Sequence, residues 1–496
     1  MKIKITGMFF ISLFSTLVCF SQSRNIPADT MVITHHEVTV KGTKFSYKAT
    51  TGTQPVWNEK DETVATLFYT YYERKNVTDR TKRPLVISFN GGPGSASVWM
   101  HLAYTGPRIL KIDDEGYPVQ PYGVIENPYS ILDVADIVFV NPVNTAFSRI
   151  LEKDKAKVDR SDFFGVNADI KYLAEWLNTF VSRLNRWRSP KYLIGESYGT
   201  TRVSGLALEL QNAQWMYLNG VILVSPTEIG IKREGPVEVA NRLPYFTAAA
   251  WYQNALNENL QQKDLEELLP EVEKYAIEEF LPALAKGGFL APEKKKEVAE
   301  KVAYYSGLTE KEILDNNLDV ATSYFWKALL RDRGYTIGRL DSRYLGLDEK
   351  DAGSSPDYNS ELTSWLHSFT PAINYYLREE LNFKTDMKYN MFGPVRPWDR
   401  SQNNTGAQLR QAMAQNPFLN VLIQSGYFDG ATNYFDAKYT MWQLDPGGKM
   451  KERLDFKGYR SGHMMYLRRE DLIKANDDLR SFIKRTMSFG KPAKYD

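Results

Sequence analysis

Parts of residues 38–73 alternate apolar and polar positions. Val38-Thr39-Val40-Lys41 and Phe45-Ser46-Tyr47-Lys48 do so strictly, and Val64-Ala65-Thr66-Leu67-Phe68 more loosely. Gly42, Gly52 and Pro55 punctuate the stretch. Period two between turn residues predicts antiparallel strands on one edge of a sheet. The pattern then changes. Residues 84–89 (PLVISF), 137–140 (IVFV), 192–194 (YLI), 221–224 (VILV) and 420–423 (NVLI) are short, mostly continuous apolar runs. Strands buried on both faces look like this. Between two of them, Ile170, Leu173, Leu177, Phe180 and Leu184 fall at steps of three and four, which predicts an amphipathic helix. Strand, helix, strand in that order predicts an α/β fold with a mostly parallel central sheet and helices on both faces.

From about residue 227 to 389 the pattern changes again. Glu266-Glu267-Leu268-Leu269, residues 293–302 and residues 311–316 are charged and helix-prone, with no clear buried-strand run among them. The expected organisation is a core in two parts, 22–226 and 390–496, with a helical cap insertion at 227–389. Ligands bind at the carboxyl end of such sheets, where an insertion can act as a lid. Residues 1–21 read as a signal peptide. Lys2 and Lys4 precede a largely apolar run over residues 8–20, too short to span a bilayer, and Cys19 and Ser21 supply small residues for cleavage after Ser21. Thr16-Leu17-Val18 matches a lipobox poorly. No later stretch is long and apolar enough to cross a membrane, so the expected product is exported and soluble, periplasmic or secreted.

Composition narrows the chemistry. A formal net charge of +2 over 496 residues gives no field that suggests a nucleic-acid partner. The single cysteine, Cys19, leaves with the leader, so the mature chain has no disulfide and no cysteine nucleophile. A disulfide-free exported enzyme suggests a bacterial envelope. With five histidines and no HExxH, neither a metal nor a cofactor is expected. Oligomeric state stays open.

The sharpest motif is Gly195-Glu196-Ser197-Tyr198-Gly199, after the run at 192–194 and before a helical pattern with Val203, Leu206 and Leu210. GxSxG at a strand-to-helix turn is a nucleophile elbow, which lifts the serine hydroxyl above the sheet edge. In this arrangement the acid and then the histidine follow the serine along the chain. Only His367 and His463 follow Ser197. His367 lies in a helical-looking stretch of the insertion. His463 lies in a Gly-containing loop after the sheet pattern has ended, and is the candidate base. Asp429 closely follows the run at 420–423 and is the candidate acid, with Asp436 as competitor. One oxyanion donor is expected from the Tyr198 amide. The other is expected from the Gly-rich loop Asn90-Gly91-Gly92-Pro93-Gly94, which follows the strand at 84–89.

Together, NGGPG at 90–94, GESYG at 195–199, FDGAT at 428–432 and GHMMY at 462–466 resemble the serine carboxypeptidases, α/β-hydrolase-fold enzymes, and especially their bacterial branch. NPVNTAFS at 141–148 resembles that branch's DPVGTGFS segment. Leu243-Pro244-Tyr245, Ala250-Trp251-Tyr252, Arg331-Asp332-Arg333-Gly334 and GRLDSR at 338–343 look like its cap segments. The resemblance implies a triad of Ser197, Asp429 and His463 and an oxyanion hole at the Gly92 and Tyr198 amides. It also implies a clamp for the substrate's terminal carboxylate at Asn90 and Glu196. Ser95 replaces the cysteine usual after NGGPG in eukaryotic members, Tyr104 stands where a second acid is often found, and Asn141, Asn144 and Ala146 alter the DPVGTGFS segment. The expected activity is removal of C-terminal residues from peptide substrates. The alternatives are an esterase or acyltransferase on the same triad, or a silent peptide-binding protein.

Overall fold

The computed structural model describes residues 24–151 and 158–495; the expected leader and Cys19 lie outside the described residues. Nine strands form the path of the main sheet: β1 (Thr30–Val40), β2 (Thr43–Trp57), β3 (Thr63–Arg74), β4 (Leu85–Phe89), β5 (Asp136–Val140), β6 (Lys191–Glu196), β7 (Gly220–Val224), β8 (Asn420–Gly426) and β9 (Leu454–Tyr459). Their spatial order is β1-β2-β3-β5-β4-β6-β7-β8-β9, with the two-residue strand Arg149–Ile150 beside β3. β1, β2 and β3 pair antiparallel, as does β3 with β5. From β5 to β9 every neighbouring pair is parallel.

The continuous apolar runs are explained by where alternate side chains go. Val86, Ile137, Tyr192, Ile194 and Ile222 join one hydrophobic cluster. Leu85, Ile87, Val138, Leu193 and Val221 join another on the opposite face. The helices Val166–Arg183 and Tyr198–Asn212 cover the second face, while Val98–Ala103 and Arg469–Thr486 cover the first. Each face is dry, so period two disappears from the sequence.

One strand escaped the sequence pattern. β9 pairs in parallel with β8 just before the His463 loop. It sits at the sheet edge and its first five residues are only partly buried, so LDFKGY lacks an apolar run.

Residues 227–389 divide among several clusters. Leu243, Phe246, Leu268, Val302, Phe325 and Ile337 belong to a cluster separate from both sheet faces. Trp365, Phe369, Ile373, Tyr376 and Tyr389 belong instead to the first sheet-face cluster, with Phe369 edge-on to Trp99. Helices dominate the stretch, with one small two-stranded element, Thr336–Ile337 against Leu345–Gly346. Among the described residues, no helix is long and apolar enough to cross a membrane.

Candidate active site

The carboxyl ends of the parallel strands converge on one edge. β4 runs into Asn90, β6 into Ser197, β8 into the loop holding Asp429 and β9 into the loop holding His463. Ser197 has φ 57° and ψ −128°, a left-handed conformation that a side chain adopts only under constraint. Its amide donates to Val224 O at 3.0 Å, which fixes the turn to β7. The turn is tight enough that a Cβ at position 195 would lie 2.2 Å from Gly199 O. A Cβ at position 91 would lie 2.4 Å from the Tyr198 nitrogen, so Gly91 lets the 90–94 loop press on the elbow.

His463 Nδ1 donates to Asp429 Oδ2 at 2.7 Å, and both groups are buried. Asp429 Oδ1 accepts from the Ala431 and Thr432 amides at 2.8 and 3.1 Å. Its Oδ2 also accepts from Thr432 Oγ1 at 2.7 Å. Four donors thus hold one carboxylate in a fixed orientation. Asp436 is turned elsewhere, toward Arg233 at 3.3 Å and Asn241 at 3.0 Å. His367 is exposed on the helix Ser360–Tyr375, with Nδ1 2.7 Å from Thr363 O. Burial pulls the His463 pKa down. The Asp429 charge and hydrogen bond, with Glu196 adding, outweigh it, and the net direction is upward.

Ser197, His463, Glu196, Gly92 and Tyr198 all line one cavity of about 440 Å³. Ser197 Oγ makes no hydrogen bond among the described residues. Serine–base contacts commonly tighten only around substrate. Tyr198 opens the helix Tyr198–Asn212, so its N–H is among those a helix leaves free. Trp99, Leu362, Trp365 and Phe392 give the cavity an aromatic and apolar wall, while Arg233, Arg339 and Arg400 add cations.

Glu196 is buried, with Asn90 Nδ2 donating to Oε1 at 2.8 Å and the Tyr466 hydroxyl donating to Oε2. Burial pushes its pKa up to about 7, against the His463 charge and the Tyr466 and Asn90 hydrogen bonds. Asn90 is fully buried behind it, and its Oδ1 accepts from the Met100 amide at 3.1 Å. Sequence reasoning missed Tyr466, although it lies within the quoted GHMMY motif, and missed Arg202. Fully buried, Arg202 pairs with Asp169 at 2.7 Å and donates to Asn90 O at 2.7 Å and Pro93 O at 3.3 Å. It thereby fastens the 90–94 loop to the elbow helix. Its only sequence signal is an arginine on the otherwise apolar inner face of that helix.

A parallel sheet carrying a left-handed serine at a strand-to-helix turn, with a histidine–aspartate pair on the following strand ends, defines an α/β-hydrolase. Residues 42–453 match the serine carboxypeptidase family, and the chain belongs to it. It is 27% identical over 200 residues to serine carboxypeptidase-like 7 of Arabidopsis thaliana, covering 39% of this chain and 43% of that protein. It is 28% identical over 144 residues to serine carboxypeptidase S10 family member 1 of Dictyostelium discoideum, covering 29% and 31% respectively. The chain thus matches less than half the length of these curated relatives. Among solved structures, Kex1(Δ)p, a prohormone-processing carboxypeptidase from Saccharomyces cerevisiae, shares the fold with a TM-score of 0.51 at 14% identity. That superposition covers 89% of this chain and 92% of the other.

Proposed function

We propose that the chain is an exported serine carboxypeptidase that releases C-terminal residues from peptides. The observation that carries this reading is Glu196, a buried carboxyl beside the nucleophile with a pKa of about 7. Protonated, it donates a hydrogen bond to a substrate carboxylate; ionised, it repels one. Asn90 and Tyr466 aim it.

Ser197 Oγ attacks the scissile carbonyl carbon while His463 Nε2 takes its proton, and Asp429 stabilises the resulting imidazolium. The Gly92 and Tyr198 amides donate to the oxyanion. Collapse breaks the C–N bond, and His463 returns the proton to the leaving amine. Water, deprotonated by His463, then hydrolyses the acyl-enzyme and frees Ser197. The domain reading supports exopeptidase action. Residues 227–389 form a cap between core parts 22–226 and 390–496, and the cap limits access to chain ends. The basic, apolar, small-residue order of residues 1–21 supports export, and the disulfide-free mature sequence favours a bacterial periplasm.

The test is mass spectrometry of a mixed peptide pool before and after incubation. Stepwise loss from the C-terminus is expected. Internal cleavage would overturn the exopeptidase reading. Serine labelling by a fluorophosphonate without any shortening would favour the esterase or acyltransferase.

A further inference from the structure

Residues 338–343 touch both loops that carry the histidine and the aspartate. The Leu340 carbonyl accepts from the His463 amide at 2.6 Å. The Arg339 carbonyl accepts from the Gly430 amide, and the Ser342 amide donates to Phe428 O, each at 3.0 Å. These bonds fall on the residue before and the residue after Asp429, and on His463 itself. Contact is also close at Gly462, where a Cβ would lie 2.5 Å from the Asp341 side chain.

The same segment is gripped from its other side. Tyr245 OH and Ser342 Oγ are 2.6 Å apart, and Gln253 Nε2 donates to Ser342 O at 2.5 Å. Asp341 and Arg343 form a fully buried ion pair at 2.7 Å. Glu361, in the first turn of the helix Ser360–Tyr375, accepts from the Leu340 amide through Oε1 at 2.9 Å. The two peptide groups flanking the Leu340 Cα are therefore both held, the N–H by Glu361 and the C=O by His463. Glu361 is fully buried, and its second oxygen, Oε2, has no hydrogen-bond partner among the described residues. A buried carboxyl with one unmet oxygen costs stability, so stability alone does not account for it.

We propose that Glu361 is a positioning residue for the hydrolytic reaction, acting through the Leu340 peptide groups to hold the His463 backbone in register with Asp429. The cap-side segment 338–343 is then a working part of the triad and not only of the lid. The proposal rests on the assignment of Ser197, Asp429 and His463 as the triad. A displacement of about 1 Å in a reacting group costs on the order of a hundredfold in rate. Losing the Glu361 anchor should thus act on turnover and leave substrate binding alone.

The experiment compares Glu361→Gln, Glu361→Asp and Glu361→Leu in the full chain. Two readouts are used: kcat and KM for an N-blocked dipeptide, and the rate at which a fluorophosphonate labels Ser197. Gln keeps an acceptor for the Leu340 amide, Asp withdraws it by one methylene, and Leu removes it. Expected is a fall in kcat and labelling rate of tenfold or more for Leu, a smaller fall for Asp, near wild-type values for Gln, and KM within about twofold throughout. Wild-type kcat and labelling in Glu361→Leu would overturn the proposal. So would equal losses in Gln and Leu, or a change confined to KM. If Glu361→Leu fails to fold, the Asp-to-Gln comparison decides on the same criteria. Labelling reports His463 alignment even if peptides prove not to be substrates, so a failed peptidase reading is distinguishable from a failed anchor.

Discussion

Tyr466 donates its hydroxyl to Glu196 Oε2 while its ring lies flat on Tyr104, with centroids 4.8 Å apart and planes at 8°. Tyr104 is held in turn through its hydroxyl, which donates to Gln424 at 2.7 Å. The group set against the Glu196 carboxyl is thus a phenol on the loop that holds His463. Unlike a carboxyl pair, a buried phenol stays a donor across the whole working pH range.

The pH dependence follows. Under the proposed mechanism, peptide hydrolysis needs Glu196 protonated and His463 neutral. With Glu196 at about 7, kcat/KM for a peptide with a free terminus should decline above neutrality as that proton leaves. A C-terminal amide has no carboxylate to repel, so its hydrolysis should persist to higher pH. Glu196→Gln should abolish the alkaline decline. Tyr466→Phe removes a donor from the ionised form and raises the Glu196 pKa, moving the alkaline limb up by about one unit. Superimposable pH profiles for the free and amidated substrates in the wild type would remove Glu196 from carboxylate recognition.

Replacing the nucleophile separates the two histidines that follow it. Ser197→Ala and His463→Ala should each lose nearly all turnover, on the order of a million-fold, with the fold intact. His367 lies exposed on its helix, so His367→Ala should keep near wild-type kcat. An essential His367 beside a dispensable His463, read by steady-state kinetics, would refute the triad.

What was legible in the sequence, and what was not, divides by the range of the interaction. The runs at 84–89 and 221–224 announce strands because both their faces are dry. The elbow announces itself because a serine at φ 57° needs glycines immediately around it. β9 was silent because an edge strand need not be apolar. Tyr466 and Arg202 were silent for another reason. Their partners lie 270 and 33 residues away, and a lone tyrosine or arginine carries no period that reveals such a pairing. The Leu340 carbonyl was beyond reach altogether, because its role belongs to the backbone and any residue could supply it. The division of residues 227–389 among several clusters was equally hidden, because helices packing on one another and helices packing on the sheet core share one amphipathic pattern.

Arg202 and Asp169 predict a coupled loss of stability and turnover. Both are fully buried. Asp169→Asn leaves the guanidinium without its counter-charge and should cost about 3–5 kcal/mol, measured by urea denaturation. Arg202→Lys keeps a charge near Asp169 but cannot reach both loop carbonyls in the same geometry. It should lower kcat more than stability, because the 90–94 loop carries the Gly92 oxyanion donor. Equal stability with unchanged kcat in Arg202→Lys would show that the loop holds itself.

The cavity's cations make the last prediction. Arg233 is engaged, 3.3 Å from Asp436 and 3.8 Å from Glu228. Arg339 and Arg400 also line the cavity, are exposed, and form no ion pair among the described residues. Two guanidinium groups without an ion-pair partner among the described residues, over a cavity proposed to take a terminal carboxylate, attract anionic peptides and pair readily with a carboxylate side chain. Peptides carrying Glu beside the scissile bond should therefore have higher kcat/KM than their Gln isosteres, and that advantage should shrink as salt is added. Arg339→Gln and Arg400→Gln each remove an exposed partner, worth at most about 1 kcal/mol or roughly fivefold. The double variant should bring Glu and Gln peptides to parity. Amidated peptides decide what the arginines read. If the double variant weakens all free-terminus peptides equally and leaves the Glu-over-Gln ratio intact, the arginines read the terminal carboxylate. The side-chain preference predicted here is then wrong.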